Sequence, residues 1–123
     1  MLIPNSQDKI SGLRARIKTW ILKVITLANK IPKDQVSKVI INQLLRASTS
    51  VGANYEEASE TQTTKDLIYK LSVVLKEAKE SKYWLGLIVD VYPSLGNSTS
   101  AILQENQELI KIFSSVISKK KNG

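Results

Sequence analysis

The chain contains no cysteine and no histidine. The first absence excludes disulfides and thiolate chemistry. The second removes the commonest general base and the commonest transition-metal ligand. A carboxylate-only metal site on Glu56, Glu57, Glu77 and Glu80 stays chemically open, but it would lack the Glu-x-x-His pattern of di-metal bundles. The reading is therefore of a non-enzymatic chain, with no catalytic residue, no metal and no cofactor. Proline is scarce (3 residues) and glycine little commoner (5). Period-two runs, internal repeats and low-complexity linkers are lacking too. No apolar stretch reaches the ~18 residues of a membrane span, and no basic segment followed by an apolar run opens the chain as a signal peptide would. A cytoplasmic protein without membrane contact is the expectation. Between Lys9 and Lys30 there is no acidic residue at all.

What is present is a globular composition, 42% hydrophobic, with 18 basic against 11 acidic residues and a formal charge of +7 over 123 residues. That length suggests one domain with a single core. The charge excess favours polyanions: RNA, DNA or an anionic surface. Its bland counterpart is a charge that only keeps the protein in solution.

Ile10, Leu13, Ile17, Trp20, Val24, Leu27 and Ile31 recur at steps of three and four, a heptad seam widened by Ile21 and Ala28. Asn5, Ser6 or Asp8 suits the cap of this helix. Lys9, Arg16, Lys23 and Lys30 stand seven apart beside the seam, with Arg14 and Lys18 on the same helix. This stripe reads either as a solvated flank whose long stems cover apolar surface or as a phosphate-contacting track. Pro32 suits the first turn of a second helix and Asp34 its N-terminus. That helix carries Val36, Val39, Ile40, Leu44, Ala47, Val51, Tyr55 and Ala58 as apolar positions. A third follows Thr63, with Asp66 completing a variant capping box. It bears Leu67, Leu71, Val74, Ala78, Leu85, Ile88 and Tyr92. Pro93 to Asn97 reads as a loop. A fourth helix, capped among Ser98, Thr99 and Ser100, ends in Lys119, Lys120 and Lys121, a basic tail. The predicted helices are approximately 8–30, 33–60, 64–92 and 99–118. The fold class is all-α: an antiparallel up-down-up-down four-helix bundle spanning 1–123 as a single domain.

The stretch QLLRASTSVGANYEEA, Gln43 to Ala58, organises the rest. Gln43, Arg46, Ser50, Asn54 and Glu57 fall along one side at helical spacing, and a polar line inside a bundle needs partners. In a helical hairpin turning near residue 62, positions whose numbers sum to about 124 lie level. Arg46 is thereby expected to pair with Glu77 or Glu80, and Lys70 with Glu57 or Asn54. This polar network is read chiefly as architecture. Trp20, Tyr83, Trp84 and Tyr92 are either core and subunit-contact anchors or stacking platforms for nucleobases. The apolar content of the third helix, from Leu71 to Val91, exceeds what one bundle can hide and points to a homo-oligomer.

Ile31-Pro32-Lys33, QLLRASTSVGANYEEA and KDLIYKLSVVLKEAKESKYWL together resemble the bacterial four-helix-bundle proteins of the 23S ribosomal RNA intervening-sequence family, over about residues 10 to 118. Arg46, Ser50, Asn54, Glu57, Lys70, Glu77, Glu80 and Trp84 match the family pattern. The resemblance implies a bundle that assembles as a ring, commonly a pentamer. A more distant similarity is to the accessory variability protein of diversity-generating retroelements, a basic pentameric barrel that binds nucleic acid and a reverse transcriptase. Two functional expectations follow. The first is RNA or DNA binding through backbone phosphates, with Lys9, Arg14, Arg16, Lys18, Lys23, Lys30, Lys119, Lys120 and Lys121 as candidate contacts. The alternative is a scaffold or accessory subunit whose basic stripe meets an acidic protein partner.

Overall fold

The computed structural model describes residues 6–123, with side chains from Gly12 onward. The cap assigned to Asn5, Ser6 or Asp8 and the side chains of Lys9 and Ile10 lie outside the described residues. Four helices account for nearly everything: α1 (Ser6–Lys30), α2 (Gln35–Ala58), α3 (Thr64–Val91) and α4 (Gly96–Asn122). There is no strand among the described residues.

Local chemistry explains where the helices begin. The Asp34 carboxylate accepts from the Ser37 N–H at 2.9 Å while the Asp34 N–H donates to Ser37 Oγ at 2.8 Å. This reciprocal capping box starts α2 at Gln35. Pro32 accordingly lies in the connection, not in the first helical turn as the sequence suggested. Thr63 Oγ1 accepts from the Asp66 N–H at 3.1 Å and opens α3. Tyr92 precedes Pro93, and proline disfavours the helical conformation in the residue before it. Tyr92 leaves the helix at φ −125°, ψ 74°.

The chain then departs from expectation. Pro93–Leu95 is a single 3-10 turn, not open loop, and α4 follows it directly. Pro93 supplies a preset φ for that turn and lacks the N–H that a first turn leaves unpaired. Thr99 caps nothing; its hydroxyl donates back to the Leu95 carbonyl at 2.7 Å. At the other end α4 continues to Asn122, so Lys119, Lys120 and Lys121 occupy its last turn. There they complement the carbonyl end of the helix dipole.

Each helix flanks two others: α2 lies beside α1 and α3, and α4 beside α3 and α1. The core runs between them through Trp20, Val24, Leu44, Val51, Val74, Leu85, Leu109 and Phe113, all at most 1% exposed. Tyr55 and Phe113 meet across it with ring centroids 6.3 Å apart. Trp20 donates its indole N–H to the Ile102 carbonyl at 3.2 Å, which fastens α1 to α4 and removes Trp20 from any stacking role.

Val36 and Val39 depart most clearly from the apolar pattern, being 57% and 59% exposed. At about 100° per residue Val39 falls round the helix from the line of Ile40, Leu44, Ala47 and Val51, whereas Val36 stands at the edge of that line in the first turn of α2 and is left uncovered there. Gly52 has a different reason to be where it is. A Cβ there would come within 2.7 Å of Ile21 Cδ1, so the absence of a side chain lets α1 approach α2. The core contains one polar anomaly. Asn106 is fully buried; its amide donates to the Ala78 carbonyl at 3.1 Å, and its Oδ1 has no partner among the described residues.

Candidate polar seam and basic surface

The polar line of α2 meets α3 side chain by side chain. Arg46 Nη1 donates to Glu77 Oε1 at 3.3 Å, Nη2 donates to Glu80 Oε2, and Nε donates to Gln43 Oε1 at 3.1 Å. Trp84 Nε1 donates to the same Glu80 oxygen at 3.2 Å, and the Tyr83 ring stands edge-on to Trp84 at 4.9 Å. Arg46 thus meets both of the carboxylates that register allowed. Lys70 reaches Glu57, and that hydrogen bond pushes its ammonium pKa up. Asn54 turns inward along its own helix and donates to the Ser50 carbonyl at 2.9 Å; Ser50 enters the network through its backbone.

The seam is half-open. Glu77 lies beneath Arg46 with its side chain 13% exposed, while Arg46 is 46% exposed. Val36, Val39 and Val91 are exposed on the same two helices, with Trp84 and Leu87 half-buried. The result is an arginine, two carboxylates and a tryptophan on helices that also leave valines uncovered.

The basic stripe of α1 is not the continuous track its spacing suggests. Arg16 forms a forked pair with Glu105 of α4, Nε to Oε2 at 2.9 Å and Nη2 to Oε1 at 2.6 Å. The forked hydrogen bonds from Arg16, aided by its charge and that of Lys23, hold the Glu105 carboxyl below the usual carboxylate range against a smaller opposing effect of burial. Arg14 is likewise engaged, by Glu56 at 2.6 Å and the Ser59 hydroxyl at 3.3 Å. Lys18, Lys23 and Lys30 are exposed and lie outside ion pairs among the described residues. Lys18 sits five residues from Lys23, about 140° round the helix. What the sequence could not reveal was Glu105: it lies 89 residues from Arg16, and nothing local marks it as a partner.

Among the described residues no three acidic side chains converge on a point that could hold a metal. Glu56, Glu57, Glu77 and Glu80 each face a cation instead. The carboxylate-metal constellation is therefore not assembled by the fold.

These features define a class: a small all-helical bundle whose second and third helices are laced by a charged seam. The family model described as 23S rRNA-intervening sequence protein matches residues 15–115, and the chain belongs to that family. A solved structure from Bacteroides thetaiotaomicron, described as a protein with unknown function from the S23 ribosomal protein family, has the same fold. It gives a TM-score of 0.81 at 30% identity, over 89% of this chain and 98% of that one. No curated protein matches the sequence. No helix among the described residues is long and apolar enough to cross a membrane.

Proposed function

We propose that this chain is a non-enzymatic, oligomeric basic bundle that binds RNA or DNA through backbone phosphates with low sequence specificity. One observation carries the reading. All three arginines, Arg14, Arg16 and Arg46, are engaged by carboxylates within the chain, so the exposed charge excess resides on lysine. Lysine is a point charge suited to phosphate, whereas the commonest base-specific contact is a free arginine forked onto guanine. Lys23 and Lys30 of α1 and Lys119 to Lys121 of α4 are exposed.

The oligomer and the up-down-up-down topology belong to the same proposal. Ion-paired residue numbers rise along α2 as they fall along α3, from Arg46 with Glu77 to Glu57 with Lys70, which supports an antiparallel course. A ring, with five subunits by family resemblance, would repeat the lysine surface around an axis and concentrate positive potential.

The test is gel filtration with light scattering, with and without a short RNA, at low and moderate salt. A ring that shifts with RNA and releases it as salt rises is the expected outcome. Indifference to RNA at every salt concentration would sink the proposal. It would favour the second reading, a protein-interaction scaffold, for which the specific observation is the Arg46–Trp84 cluster with Val36, Val39 and Val91 uncovered on the same helices. Tryptophan and arginine are the residues most enriched at the energetic centres of protein interfaces.

A further inference from the structure

Lys23 and Lys30 do more than stand exposed. Together with Thr26, Leu27, Ser98 and Ile102 they line an open groove of about 250 Å³ between the last turns of α1 and the first turns of α4. Two turns of helix separate the lysines, about 10 Å along the axis. Leu27 and Ile102 belong to the buried core, so they give the groove an apolar floor. Thr26 spends its hydroxyl proton on the Leu22 carbonyl at 3.0 Å. Ser98 Oγ makes no hydrogen bond among the described residues, which leaves it free to donate. No carboxylate and no aromatic ring lines the groove. Glu105, whose carboxylate feels the charge of Lys23, is already forked onto Arg16.

We infer that this groove holds one phosphodiester strand, with a phosphate against each of Lys23 and Lys30 and the Ser98 hydroxyl donating between them. The inference rests on the nucleic-acid reading above and names where on the molecule the strand lies. A recessed line between two helices suits an extended strand, whose backbone a positively charged groove tracks. A flat membrane surface would touch the flanking ridges and leave the floor uncovered. With no ring to stack a base, affinity comes from phosphates and follows salt.

The experiment compares Lys23→Gln/Lys30→Gln with the charge-matched control Lys38→Gln/Lys76→Gln, which removes two exposed lysines elsewhere on α2 and α3. The probe is a labelled oligouridylate, read by fluorescence anisotropy over a salt series. Wild type should bind at low salt. The groove variant should flatten the plot of log K against log[salt] by about 1.4, two contacts of ~0.7 each. The control should keep the wild-type slope, and Ser98→Ala should weaken binding without changing the slope. All these side chains are exposed, so thermal melts should match wild type and separate lost binding from lost fold.

An unchanged slope in the groove variant, or an equal loss in the control, would overturn the groove while leaving nucleic-acid binding intact. A wild-type protein that ignores the oligonucleotide at low salt would overturn the function itself. Sedimentation with phosphatidylserine vesicles in place of RNA binding, abolished by the groove variant, would replace the strand with a membrane surface.

Discussion

Asn106 and Glu105 are neighbours in sequence with opposite physics. Asn106 buries an acceptor without a partner, and an unsatisfied buried polar group costs about 1–3 kcal/mol. Asn106→Leu is similar in size and removes that acceptor together with one hydrogen bond. The expected result is a rise in Tm of about 4 °C by thermal unfolding; a fall would show that the amide is needed where it is. Glu105 sits near the surface, its side chain 29% exposed, and its carboxyl is held below the usual range chiefly by Arg16. The stability it contributes is therefore present above the unfolded carboxylate pKa of about 4.3 and is lost as pH falls through the lower folded value. Glu105→Gln should cost under about 1 kcal/mol at neutral pH, because the pair is part-exposed. It should also make Tm fall less steeply than in wild type on acidification below about pH 5. Identical acid limbs in the two proteins would contradict the linkage.

At the level of elements, helix starts are set by single residues and helix contacts by small ones. Replacing Asp34 by Ala removes the carboxylate that caps α2 and should destabilise the fold by about 1 kcal/mol, measurable by urea unfolding with an unchanged m-value. Gly52 shows why propensity alone misleads: glycine weakens α2 by about 1 kcal/mol relative to alanine, yet the space it leaves is filled by Ile21. Heptad spacing correctly places Ile17, Trp20, Val24, Leu27 and Ile31 in the core. The apolar pattern also included Val36 and Val39, which stay exposed, since a pattern in the sequence does not say whether a neighbouring helix reaches that far. The 3-10 turn at Pro93 escaped the sequence reading for a similar reason: Pro, Ser, Gly and Asn are the residues of a loop, and equally those of a helix's first turn.

For the molecule as a whole, the exposed apolar residues bear on the proposed oligomer. Val36, Val39, Tyr69, Tyr83 and Val91 stand uncovered on α2 and α3, and Leu22 and Ile25 on α1. In the oligomer proposed above, such uncovered residues are where neighbouring copies would meet. Val39→Glu should then reduce the mass seen by light scattering to that of smaller species while the circular dichroism of the helices is retained. An unaltered mass would remove this region of α2 from the interface. An oligomer broken by Val39→Glu that still binds RNA with the wild-type salt slope would show that assembly and phosphate contact are separate.

Helix count, the heptad faces, the cap at Thr63 and the pairing of Arg46 with Glu77 and Glu80 were legible in the amino-acid sequence; Asp34 was legible as an N-terminal residue of α2, but its capping box with Ser37 was not. Each depends on residues close in the chain, or on a hairpin register that arithmetic supplies. The fate of the α1 cations was not. Arg16 is spaced like Lys23 and Lys30 along the stripe, with Arg14 elsewhere on the same helix, and only the docking of α2 and α4 brings Glu56 and Glu105 against the arginines. The same docking leaves the two lysines at the rim of a groove. Local composition can state how much charge a helix carries. Which of those charges are spent inside the molecule depends on partners tens of residues away, and only the packed bundle brings them together.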